Sequence, residues 1–307
     1  MISAQETFNG TFPFKPNFST APGFNMHYVD EGIGPTVLCL HGEPTWGYLF
    51  RHLINQLSDS YRVVVPDHMG FGKSQTPADR TYWLQDHIHN LEQFIFDLGL
   101  KDITLIINDF GGPIGMGIAS RHPELITRII SVNGPTPFGQ PELRTLIEAN
   151  FNTAPWFQWT VQAEKSGRLE AILGDLHYNI LSTLKLNGFE RNDLITDNWL
   201  AAYRSPFIHA EDCIGASGWA KGMVAGMHIF EEPTETVKSQ ISKLPAMAIW
   251  GKADRTLQPQ YFLPLFKTAF PDGLICEIES AGHYSLEDSP EVINLLIRQF
   301  LDLTSKI

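Results

Sequence analysis

Along the 307-residue chain, short runs of apolar and β-branched residues alternate with longer stretches in which apolar positions recur every three or four residues. The first pattern suits strands buried on both faces and the second amphipathic helices. Strands are predicted at 36–40, 62–66, 103–107, 126–132, 246–250 and 274–278, with 25–29 as an antiparallel edge. Helices are predicted at 48–57, 82–98, 113–121, 259–270 and 290–303. That alternation points to an α/β fold with a mainly parallel sheet flanked by helices. From 136 to 244 the strands stop, helical patterns follow one another, and Trp156, Phe157, Trp159, Tyr178, Trp199 and Trp219 gather. This stretch is expected to be an inserted helical cap on a core formed by 1–135 and 245–307. No Gly/Ser linker separates the two, so the cap should dock on the core.

Hydrophobic residues make up 43% and charged residues 18%, which excludes disordered and fibrous classes. Lys and Arg number 22 against 34 Asp and Glu, a net charge of −12. An acidic chain gains nothing from counterion release, so neither nucleic acid nor an anionic membrane surface is an expected partner. No apolar stretch approaches the ~20 residues that span a bilayer. Residues 1–16 lack the basic and apolar segments of a targeting signal, and a cytoplasmic location is expected. Three cysteines, Cys39, Cys213 and Cys276, are an odd number and suggest reduced thiols. His87 and His89 lie two apart, on different sides of a helix, and no metal site is expected.

Candidate chemistry lies at the predicted strand ends. The strand at 103–107 runs into Asn108-Asp109-Phe110-Gly111-Gly112 and then a helix, which fits a nucleophile elbow with Asp109 at its apex. Ile107 stands where the first Gly of G-x-S-x-G would be. Asp tolerates a left-handed backbone better than most residues, although an Asp that merely caps the following helix is the plainer alternative. Downstream come Trp250-Gly251-Lys252-Ala253-Asp254-Arg255 and Ser280-Ala281-Gly282-His283-Tyr284. The order is nucleophile, acid, histidine. Asp254 could accept the Nδ1 hydrogen of His283 and leave Nε2 to take a proton. Upstream, the strand at 36–40 exits into His41-Gly42-Glu43-Pro44-Thr45-Trp46, where the amide of Glu43 can join that of Phe110 as an oxyanion hole. His41 itself is read as a structural turn residue. Gly72-Lys73-Ser74 ends like a phosphate loop, but Asp67 occupies the position of the first Gly that loop requires.

Together with Pro66-Asp67-His68-Met69-Gly70-Phe71-Gly72-Lys73-Ser74, these segments resemble the haloalkane dehalogenase branch of the α/β-hydrolase fold, over about two thirds of the chain. The resemblance implies displacement at a saturated carbon by Asp109, then hydrolysis of the ester by water that His283 activates, with no cofactor. Epoxide hydrolases and β-lactone-cleaving relatives are similar in the same features. It also implies N–H donors for a departing halide, yet Phe110 and Glu43 occupy the two core positions, and a charged Glu43 would repel halide. In the branch with Glu at that place, the residue is taken to help position water. Trp156 or Trp159 could be the cap donor, with plain pocket lining as the alternative. Tyr178 and Tyr203 are the phenols available for an epoxide hydrolase. Asn133, after the strand at 126–132, cannot serve as the anionic partner of His283. The expected partners are a small apolar substrate and water, in a monomer or small homo-oligomer. A fold of this kind that only binds a ligand is the contrasting possibility, against which the intact Asp109, Asp254 and His283 argue.

Overall fold

A computed structural model describes residues 2–226 and 228–305. Eight strands form one sheet: β1 (Asn17–Ser19), β2 (Met26–Glu31), β3 (Thr36–Leu40), β4 (Arg62–Pro66), β5 (Ile103–Ile107), β6 (Ile126–Val132), β7 (Ala246–Gly251) and β8 (Leu274–Ile278). Their order is β1-β2-β4-β3-β5-β6-β7-β8, antiparallel through the first two pairings and parallel from β4 onward. The family resemblance thus predicted the fold class correctly. β3, β5 and β7 are buried throughout, because helices cover both faces of a parallel sheet. The same expectation fails for β8. Leu274 is 53% and Ile275 39% exposed, since this last strand has a neighbour on one side only.

The α-helices are α1 (Arg51–Leu57), α2 (Leu84–Asp97), α3 (Gly111–Arg121), α4 (Leu143–Thr153), α5 (Pro155–Lys165), α6 (Leu169–Leu173), α7 (Leu176–Asn187), α8 (Asp197–Arg204), α9 (Ile214–Val224), α10 (Glu235–Ile241), α11 (Pro259–Ala269), α12 (Ser285–Asp288) and α13 (Pro290–Thr304). Leu84, Ile88, Leu91 and Ile95 of α2 are buried at the i, i+4, i+7, i+11 spacing that turns one stripe inward. In α13, Ile293, Ile297, Phe300 and Leu301 do the same. Helices α4 to α10 all lie between β6 and β7 in sequence, and α10 packs against α3 beside the sheet. No described helix is long and apolar enough to cross a membrane.

The chain leaves β3 for β4 on one side and reaches β5 on the other. At such a reversal the loops after the two strands diverge and open a crevice at the carboxyl ends. The segments beginning at His41 and Asn108 leave the sheet at that crevice.

Candidate active site

Asp109 sits between β5 and α3 with φ +46°, the left-handed conformation that lifts a side chain clear of the strand. Two glycines make this turn possible. A Cβ at Gly111 would fall 2.2 Å from the Leu40 carbonyl oxygen, and one at Gly42 would fall 2.2 Å from Asp109 Oδ1. The amide of Glu43 donates to Asp109 Oδ1 at 2.8 Å, and Phe110 stands at the N-cap of α3.

His283 is fully buried. Its Nδ1 lies 3.0 Å from Asp254 Oδ2, while Nε2 makes an ion-pair contact of 3.3 Å with Asp109 Oδ2 and has no aligned hydrogen bond. Burial works against a charged ring, but Asp254 and then Asp109 outweigh it and raise the pKa to about 10. Asp254 is itself held on every side: Oδ1 accepts the amides of Thr256 and Leu257 at 2.9 and 2.8 Å, and Oδ2 accepts Asn133 Nδ2 at 2.8 Å. Asn133, at φ +49°, also accepts Ser285 Oγ at 2.6 Å through Oδ1. Sequence reasoning passed over this residue because only an anionic role was considered for it. The helical insertion also reaches the site: the His283 amide donates to the Gly188 carbonyl at 2.8 Å, and Asn187 Nδ2 donates to Tyr284 Oη at 3.0 Å.

Above Asp109 lies a cavity of about 980 Å³. Leu143, Ile147, Phe151, Trp156, Trp219 and Met223 contribute an apolar roof from α4, α5 and α9, and Glu43, Asn187 and Thr256 bring polar atoms to it. Among the described residues no cluster of His, Cys, Asp and Glu is arranged to hold a metal ion.

The predicted pocket residues divide. Trp156 lines the cavity, and among the described residues no hydrogen bond occupies its indole N–H. Trp159 stacks on Trp156 at 5.1 Å between ring centroids but does not line the cavity. Tyr178 is 79% exposed on the outer face of α7, because Leu176, Ile180 and Leu184 occupy the inner one. Tyr203 is buried away from the cavity, where its Oη donates to Glu287 Oε1 at 2.6 Å. No tyrosine is among the described residues that line this space, so the two-phenol arrangement considered for an epoxide hydrolase is absent there.

Two further features depart from expectation. Glu43 is buried, no partner reaches its Oε1, and burial followed by the charge of Asp109 raises its pKa well above the ordinary carboxylate range. The carboxyl is driven toward its neutral acid rather than the negative charge first expected. Trp219, missed as a pocket residue, packs tilted against Phe110, ring centroids 4.2 Å apart, with its N–H bonded to His87 Nε2 behind the wall. Its presence among the aromatics of the insertion was the only signal. Desolvation holds the His87 pKa well below the ordinary histidine value, with His228 and His41 adding to the effect. His41 matches its structural reading: Nε2 accepts the His68 amide at 2.9 Å and Nδ1 pairs with the Gly42 carbonyl.

A family described as alpha/beta hydrolase fold matches residues 35–290. A cis-3-alkyl-4-alkyloxetan-2-one decarboxylase from Xanthomonas campestris pv. campestris is 31% identical over 95% of this chain and 97% of its own. Haloalkane dehalogenase 2 of Mycobacterium tuberculosis is 27% identical over 92% and 93%. Among solved structures, a haloalkane dehalogenase from Agrobacterium tumefaciens C58 superposes with a TM-score of 0.73 at 22% identity, covering 94% of this chain and 96% of that one.

Proposed function

The chain belongs to the α/β-hydrolase fold family, and from that premise we propose that it cleaves an apolar alkyl electrophile through an ester on Asp109. The observation that carries this reading is His283 held between Asp109 and Asp254 beneath an apolar cavity. A carboxylate is ionised at neutral pH and can displace a leaving group at saturated carbon without a base. The alkyl ester that results leaves Asp109 electrophilic at its carbonyl carbon. His283 Nε2 then takes a proton from water as that water attacks, and the amide of Glu43 stabilises the developing oxyanion. Asp254, anchored by three donors, orients the imidazole. Helices of 136–244 act as the cap that keeps bulk water from the ester.

A haloalkane is the first substrate class, supported by the relatives and by the unoccupied N–H of Trp156. A β-lactone is the second. Two observations favour it: the cavity far exceeds a short haloalkane, and the Trp219 N–H is committed to His87. The deciding experiment offers purified protein a series of bromoalkanes and cis-3,4-dialkyl oxetan-2-ones and measures halide, alcohol and carbon dioxide. Halide with alcohol establishes the first class, carbon dioxide the second, and neither product with intact protein rejects the ester mechanism.

A further inference from the structure

The floor of the cavity sets two acceptors against a single imidazole. Nδ1 of His283 faces Asp254 Oδ2 at 3.0 Å and Nε2 faces Asp109 Oδ2 at 3.3 Å. An ionised carboxylate can only accept, so a neutral ring would turn an unprotonated nitrogen toward one of these oxygens. Among the described residues, the charges that act on the ring are those of Asp254 and Asp109, both negative. Glu43 is a carboxyl with no partner at Oε1, and Tyr284 is a phenol that accepts from Asn187 and donates to the Glu43 carbonyl at 3.4 Å. Burial alone would discharge the ring, yet Asp254 and Asp109 raise its pKa to about 10.

Building on Asp109 as the ester-forming nucleophile, we propose that His283 rests as an imidazolium and that alkylation of Asp109 drives its Nε2 proton out. The first half-reaction thereby creates the base that the second uses. In the first step a lone pair of Asp109 forms the carbon–oxygen bond, the leaving group departs with its electron pair, and the carboxylate becomes a neutral ester. Nε2 has then lost the negative charge opposite it, and its proton passes to solvent. In the second step water gives one proton to Nε2 and its oxygen to the ester carbonyl carbon. The tetrahedral intermediate collapses to alcohol and carboxylate, with the remaining water proton carried by the alcohol. Imidazolium and Asp109 carboxylate return together. The proton that a complete turnover releases therefore leaves with the halide, before any alcohol forms.

Two measurements test this. The first is nitrogen NMR on protein labelled at the rings of its 11 histidines, with His283 identified by the signals lost in His283→Gln. At pH 8 both ring nitrogens of His283 should be protonated, and in Asp109→Asn the second proton should be lost about 1 to 3 pH units lower. A neutral His283 in the resting protein at pH 8 overturns the proposal whatever the substrate is. The second follows a single turnover of a bromoalkane with an indicator dye in weak buffer. About one proton per halide should appear in the halide phase, and a proton that appears only with the alcohol overturns the proposal. If the substrate series yields neither halide nor lactone opening, the ester reading falls, while the ring-nitrogen measurement still decides the charge of His283.

Discussion

The floor and roof of the cavity are built on different principles. In the floor, Asp109, Asp254, His283 and Asn133 each meet polar partners within about 3.3 Å, and the strand ends of the sheet fix their backbones. In the roof, side chains of α4, α5 and α9 meet through apolar and aromatic contact, as in the stacked Trp156 and Trp159 or Phe151 and Phe157. Polar bonds tie the insertion to the core both beside the floor, through Asn150, Asn187 and Gly188, and farther away, through Glu287. This buried carboxylate pairs with Arg51 of α1 and accepts Tyr203 Oη and Trp199 Nε1 of α8. Directional bonds hold a group to tenths of an ångström, whereas apolar packing tolerates substitutions of similar volume. On the proposed mechanism, the contrast means that changes in the roof can alter which substrate fits while the floor geometry stays fixed.

Changes to the floor should have the largest effect. Asp109→Asn is expected to abolish turnover, and His283→Gln to stop after one event, each a loss of about 10⁴-fold or more in steady-state rate. Intact-protein mass spectrometry of His283→Gln after bromoalkane treatment should show one alkyl group on Asp109, and unmodified protein would contradict the ester. Next comes the anchor of the insertion. Arg51→Met leaves Glu287 charged and buried, so denaturant unfolding should show a loss of about 3–5 kcal/mol, only partly recovered when Glu287→Leu is added, because Tyr203 Oη and Trp199 Nε1 then lose their acceptor. Rate per folded molecule should change far less. Within the roof, Trp156→Phe removes the indole N–H of a cavity-lining residue and should lower bromide release about tenfold or more, while Trp159→Phe should have little effect. Equal losses in the two variants would erase the distinction between lining and backing residues. Smallest of all, Tyr178→Ala on the exposed face of α7 should change stability by less than about 0.5 kcal/mol and leave product release unchanged.

The parts legible in the sequence share a local cause. Strand runs such as Ile103–Ile107 show their burial in composition, and the acidic apex with paired glycines after β5 announces a sharp turn, which φ +46° at Asp109 realises. The order of Asp109, Asp254 and His283 along the chain is also a property of sequence alone. Tyr178 and Tyr203 show where local reasoning stopped. Both looked like pocket phenols, but which face of α7 or α8 meets the core depends on helices distant in sequence, and α7 turned Tyr178 outward. Likewise Leu274 and Ile275 read as core until the sheet order left β8 at an edge. Trp219 became a wall of the cavity because α9 brings it onto Phe110, more than a hundred positions earlier in the chain. Seven of the eight strands, the elbow and the order of the candidate catalytic groups were legible from sequence alone, since backbone preference and side-chain chemistry are local; the short edge strand β1 was not. Only the tertiary structure decided which face each inserted helix presents, that Glu43 is driven toward its neutral acid, and that the Trp219 N–H turns from the cavity, because each depends on desolvation and contacts contributed by remote segments.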